Sequence, residues 1–193
     1  MTTLPGEPNA YQQGEERGKR SWHLTKQIGE YLVACELARR GLVVATFSGN
    51  VPDFDIIAIN AKGEAFPVQV KAIRGGSWQF SVDKFVEIKF DFDSEKQIVK
   101  QIVGKLKPQS IANLVCVFVI AGEKYGDDQF FVLEWKKVQE IAVNSYKSWL
   151  ELHGNVRPKK HYSLHCAIRK SDLEQYQDNW SVITKGVKTV ESP

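Results

Sequence analysis

Four polar side chains interrupt an otherwise apolar stretch over 52–72, PDFDIIAINAKGEAFPVQVKA: Asp53, Asp55, Gln69 and Lys71. Carboxylate and carboxamide oxygens are ligands for a hard cation, and an ammonium beside them can orient a water and offset negative charge as it develops. The four can act together only if the chain doubles back between them. Two β-rich runs, 54–59 and 65–70, flank a polar loop ending in Gly63, which is a hairpin signal. With Ala61-Lys62-Gly63 as the loop and Gly63 in the left-handed region, Asn60 opposes Glu64, Asp55 opposes Gln69 and Asp53 opposes Lys71. Side chains alternate faces along a strand, so the four polar groups share one face while Phe54, Ile56, Ala58, Val68 and Val70 cover the other.

An antiparallel hairpin with one wet face alternates polar residues in any case, and Asp53 with Lys71 would then be a cross-strand ion pair. Ile57 and Ile59 continue the Asp55 face with apolar side chains, however, so that face is half-buried. Half-buried polar groups need partners, and a shared cation supplies one.

Asp55, thirteen residues and then Gln69-Val70-Lys71 resembles the D…(E/Q)xK signature of the PD-(D/E)XK nuclease superfamily, in the Gln variant of the Mrr-type restriction endonucleases. Upstream, Gly29-Glu30-Tyr31-Leu32-Val33-Ala34-Cys35-Glu36-Leu37 followed by Arg40-Gly41-Leu42 resembles the first helix of that group and of archaeal Holliday-junction resolvases, where a helical Glu points at the same site. The two blocks cover 26–74. The resemblance implies a restriction-endonuclease-like α/β sandwich with a mixed central β-sheet flanked by helices. It also implies a Mg²⁺-dependent endodeoxyribonuclease of restriction or DNA-repair type, with Mn²⁺ able to substitute, DNA as the partner, and homodimers that address two strands. Asp55, the Gln69 side chain and the Val70 backbone carbonyl would hold the metal, Glu30 would bind it through water, and Lys71 would orient the attacking water. Gln in place of Glu removes one negative charge, which favours a single, less tightly held ion. Asp53 fits the literal PD of the superfamily name and is the second choice to Asp55. The alternative is a nuclease-fold protein that binds nucleic acid or regulates without cutting.

The chain of 193 residues has ordinary apolar and charged fractions and a net charge of +3, so composition alone asks for neither nucleic acid nor a membrane surface. Cys35, Cys116 and Cys166 stand in apolar segments without CxxC spacing, as reduced core residues of a cytoplasmic protein do. No apolar run reaches the roughly 20 residues that span a bilayer. The composition of 1–20 reads as a disordered N-terminal arm, 21–184 as one nuclease-like domain, and 185–193 as a flexible C-terminal tail.

Within the domain, a helix is expected over 22–40, with Ser21 as N-cap and Gly41 past its end. Its apolar stripe reads as Leu24, Ile28, Tyr31, Leu32, Cys35 and Ala38, with Glu30 on the neighbouring line beside Val33, Ala34 and Leu37 and Glu36 projecting elsewhere. Strands are expected over 42–47, 77–82, 114–121, 130–135 and 162–168, with 114–121 as the central one. Helices are expected over 94–106 and 136–152, with a short one from Ser171 to about Trp180. Arg74, beside two glycines, is a candidate phosphate contact, and Trp78 a packing residue. Arg157, Lys159 and Lys160 form the densest basic cluster and are candidate DNA-backbone contacts.

Overall fold

The computed structural model describes residues 10–47, 51–95 and 98–184, giving only the helical backbone for 10–20. Helix α1 (Ala10–Arg39) is followed by strands β1 (Val43–Thr46), β2 (Ile56–Ile59), β3 (Ala65–Ile73) and β4 (Trp78–Ser81), then β5 (Val86–Asp93) and β6 (Ile98–Leu106). Next come β7 (Val115–Ile120), β8 (Gln129–Glu134), α2 (Trp135–Leu152), β9 (His165–Ile168), two 3-10 turns and the short α3 (Ser181–Thr184). The main sheet has five strands in the order β1-β2-β3-β7-β8. Only the β3–β7 pair is parallel, so the sheet is mixed. One apolar core lies between this sheet and α1, and the other between the opposite face, α2 and the separate β4–β9 ribbon. The expected α/β sandwich with a mixed central sheet flanked by helices is the fold of the chain.

Several local expectations are corrected. The helix begins at Ala10 rather than after Ser21. Its Gln, Glu, Arg and Lys are good helix formers and extend a helix already anchored by packing further along. Residues 1–9 and 185–193, expected as arm and tail, lie outside the described residues. The face of α1 turned to the sheet is the line Thr25, Gly29, Val33 and Leu37, whereas Leu24, Tyr31, Cys35 and Ala38 are exposed. Cys35 is therefore not a core residue, although Cys116 and Cys166 are. Small residues decide the choice of face. A Cβ on Gly29 would stand 2.4 Å from the Ala72 Cβ, so α1 packs against β3 at a separation that only glycine permits.

The expected helix over 94–106 is instead β6, paired antiparallel with β5. Ile98, Val99, Ile102 and Val103 favour an extended chain, and the alternating run 86–93 provides a partner strand. Buried Gln101 then donates to the His161 and Ser163 carbonyls. β7 is buried on both faces as expected, but the middle strand of the five is β3. The helix expected from Ser171 breaks into 3-10 turns, Lys170–Asp172 and Glu174–Tyr176, because Gln177 extends to bridge Phe131 and Asp178 takes φ 49°. Among the described residues, no helix is long and apolar enough to cross a membrane.

The Gly29 contact carries a prediction. Gly29→Ala overpacks the α1–β3 seam and lowers stability by about 1–3 kcal/mol. The double variant with Ala72→Gly recovers most of that loss, read as the midpoint of urea unfolding. A single variant as stable as the wild type would mean that α1 is not seated this closely.

Candidate active site

The hairpin forms in the expected register. Ile56 pairs with Val68, Ile57 with Pro67 and Ala58 with Phe66, Asn60 N–H donates to the Glu64 carbonyl at 3.0 Å, and Gly63 has φ 80°. Buried Asn60 holds the loop: its Oδ1 accepts the Lys62 and Glu64 N–H groups at 3.0 Å each, and its Nδ2 donates to Glu64 Oε2 at 2.6 Å. Ile56, Ala58, Val68 and Val70 enter the core beneath α1, while Gln69 and Lys71 are half-buried on the other face.

The ladder ends one residue earlier than the alternation suggests. β2 begins at Ile56, and Asp53 sits in a left-handed bend with φ 72°. Asp55 therefore does not face Gln69 across the sheet. Its N–H donates to the Val68 carbonyl at 2.9 Å, and its Oδ2 accepts the Val70 N–H at 2.8 Å, so the carboxylate caps the edge of β3 where β2 has left off. A strand residue turns its N–H and C=O to the same side, so the Val70 carbonyl points past the end of β2, beside Asp55. Asp53 does not pair with Lys71 as the register implied. Instead Asp53, Gln69, Lys71 and Lys84 line a common concavity of about 230 Å³, walled by Phe80 and Trp135.

From the other side, Gly29 brings α1 down onto β3 and sets Glu30 at the same edge. The Lys26 ammonium stands 3.4 Å from Glu30 Oε1 and 3.4 Å from Asp55 Oδ1, bridging a helix carboxylate to the hairpin carboxylate. Burial works against its charge, but Asp55 and Glu30 outweigh it and hold Lys26 above the usual lysine range. Sequence reasoning missed Lys26; its i,i+4 spacing from Glu30 on the sheet-facing side of α1 was the available signal. Glu36 pairs with Arg39 and Arg40, away from this edge.

Lys71 behaves differently. Burial pushes its pKa down, Asp55 opposes that, and Lys84 and Lys26 add to the depression. Among the described residues its ammonium has no hydrogen-bond or ion-pair partner, while its backbone carbonyl accepts the Trp78 indole N–H at 2.8 Å. Trp78 is the buried packing residue expected, and it fixes the strand segment that carries Lys71. Beneath them the Cys116 thiol is pushed up to about 12 by burial, which leaves it unreactive.

Arg74 reaches back to α1, its Nε donating to Thr25 Oγ1 at 3.3 Å, one residue from Lys26. Arg157, Lys159 and Lys160 belong to the loop between α2 and β9, and none of them lines the concavity around Lys71. Lys159 and Lys160 are exposed, whereas Arg157 is half-buried over the Tyr146 and Trp149 rings.

The structure thus joins Glu30 and Asp55 through Lys26 beside β3, and sets Gln69, Lys71 and Lys84 with Asp53 in a concavity where Lys71 still feels the charges of Asp55 and Lys26. Among the described residues no three Asp, Glu, His or Cys side chains converge, so two carboxylates are the anionic part of the donor set. An oxygen-only set with two negative charges suits a hard divalent ion that keeps several of its waters. The Lys26 bridge shows that this pair already attracts a cation. At 3.4 Å from each oxygen and with 40% of its side chain exposed, Lys26 is held loosely enough to be displaced.

No protein family matches the chain as a whole or in part, and no curated protein matches it. Among solved structures, a bacterial homing endonuclease is similar over 84% of this chain and 93% of that one, at 12% sequence identity and a TM-score of 0.42.

Proposed function

We propose that the chain is a metal-dependent phosphodiesterase acting on DNA, an endonuclease of restriction or DNA-repair type within the PD-(D/E)XK group. The observation that carries this reading is the pair Glu30 and Asp55. They come from separate elements, share one cation at 3.4 Å each, and lie beside a lysine whose charge is poorly solvated. Asp55, the Gln69 side-chain oxygen and the Val70 carbonyl would hold Mg²⁺ or Mn²⁺, with Glu30 contacting it through water. When bound, the ion supplies Lewis acidity and lowers the pKa of its water. Lys71 would hold the attacking water in line and offset charge gathering on the phosphoryl oxygens, more effectively for being shielded from bulk solvent. Lys84, which lines the concavity, and Arg74, held against Thr25 of α1, would bind the flanking phosphates.

The test is cleavage of supercoiled plasmid and of a branched DNA by the wild type and by Lys26→Gln, over a Mg²⁺ or Mn²⁺ titration and in EDTA. Cutting that requires the divalent ion is expected. Half-saturation in Lys26→Gln is expected at a metal concentration several-fold lower, because removing a competing positive charge from two carboxylates favours the ion. Binding of DNA without cutting under any metal would replace this reading with that of a nuclease-fold protein that binds nucleic acid only.

A further inference from the structure

A second site lies on the opposite side of the sheet from α1, where the far half of α2 meets β9. Ser145, Ser148 and Trp149 of α2, with Arg157, His165 and Arg169, line an open groove of about 500 Å³. Ser145 is ten residues beyond Trp135, which walls the Lys71 concavity, so α2 alone separates the two sites by about 15 Å.

The charges in this groove do not balance. Arg157 is half-buried with its guanidinium 5.2 Å from the Tyr146 ring and 5.0 Å from the Trp149 ring. One terminal nitrogen donates to the His165 backbone carbonyl, yet the buried Nε has no hydrogen-bond partner. Arg169 is exposed at the groove, and among the described residues neither arginine has an ion-pair partner. No carboxylate lines the groove. Asp83 and Arg157 both act on the Cys166 thiol, but Asp83 does not line the groove. A half-buried guanidinium beside a groove that no carboxylate lines favours an anion in that groove.

We propose that this groove binds a phosphate group, carried by a small organic molecule or by a nucleic-acid strand. Two guanidinium forks, an imidazole and two serine hydroxyls offer donors from several directions. That set matches a tetrahedral dianion with oxygens on every side better than a planar carboxylate served by one fork. Exposed Leu152 lines the same groove, so an apolar or aryl portion beyond the phosphate has an apolar wall to lie against.

The experiment follows the Arg157 Nε–H and Trp149 indole N–H resonances of the full chain. The titrants are inorganic phosphate, phenyl phosphate, neutral benzyl alcohol and a duplex oligonucleotide. Phenyl phosphate is expected to shift both signals saturably, inorganic phosphate to shift Arg157 more weakly, and benzyl alcohol neither. Arg169→Gln, at an exposed position, is expected to weaken phenyl phosphate binding roughly tenfold, the loss of one charge-assisted contact. Displacement of phenyl phosphate by the oligonucleotide assigns the phosphate to a nucleic-acid backbone, and coexistence of the two assigns it to a small molecule. Unmoved resonances with both phosphates, or equal affinity in Arg169→Gln, overturn the proposal. The readout involves no cleavage, so its failure leaves the metal-site reading standing.

Discussion

Asp55→Asn is expected to abolish the proposed metal-dependent DNA cleavage while leaving the fold in place. The carboxylate has two tasks that this substitution separates. Its Oδ2 accepts the Val70 N–H at 2.8 Å, and an asparagine oxygen can do the same. Its negative charge holds Lys26 at 3.4 Å and would hold the divalent ion, and an amide supplies no charge. Stability should therefore change by no more than about 1 kcal/mol, since the hydrogen bond is kept. Cleavage should fall by roughly a thousandfold or more, because the several kcal/mol that a bound metal ion contributes to the transition state is lost. Asp55→Ala provides the contrast: it leaves the Val70 N–H without its acceptor and should also cost about 1–3 kcal/mol in urea unfolding. Plasmid cleavage and unfolding of the two variants, with Asp53→Asn beside them, decide between the carboxylates. If Asp53→Asn is dead and Asp55→Asn cuts like the wild type, the ligand is the aspartate in the left-handed bend.

The difference between those two aspartates marks where the sequence stops being legible. Within the hairpin everything needed was local: Gly63 at positive φ, Asn60 opposing Glu64, and side chains alternating faces fix the register from turn chemistry alone. Where a ladder ends is not local. A bend at Asp53 with φ 72° takes the chain off the sheet, and aspartate adopts that conformation without any signature in the neighbouring residues. The face of α1 was misread for a similar reason. Hydrophobicity ranked Leu24 and Tyr31 above Thr25 and Gly29, but the helix sits where small side chains let it approach β3, and burial followed shape. That placement also decides the site, since the Gly29 line carries Lys26 and Glu30 to the edge of β3. At β6 the apolar spacing fits a helix and a strand alike, and the partner strand β5 settles the choice through contacts between chain segments. The basic loop looked uniform in sequence, yet the fold turns Arg157 in against two aromatic rings and leaves Lys159 and Lys160 outside.

Lys71→Met is expected to lose the proposed nuclease activity and to gain stability. The ammonium is half-buried at the middle strand of the sheet, where burial pushes its pKa down, Asp55 opposes the shift, and Lys84 and Lys26 add to it. A lysine whose pKa is lower in the folded state than in the unfolded chain binds its proton less well when folded. At pH values below both, the folded protein carries an unfavourable charge. As pH rises from the depressed folded value towards the unfolded one near 10.4, that cost is relieved and stability increases. Methionine has a similar length and no charge, so Lys71→Met should unfold at higher urea than the wild type at pH 7. Its advantage should shrink as pH rises through that window. Cleavage should fall by roughly 10²–10³-fold, the usual loss when one preorganised group facing a developing negative charge is removed. The two effects have one origin: a lysine kept partly dry is costly in the resting protein and correspondingly strong against charge on a phosphoryl group. Urea midpoints of both proteins between pH 7 and pH 10, set beside their cleavage rates, test the coupling. A variant that loses activity and stability together would mean that Lys71 serves the fold, and one that keeps cutting would remove it from the site.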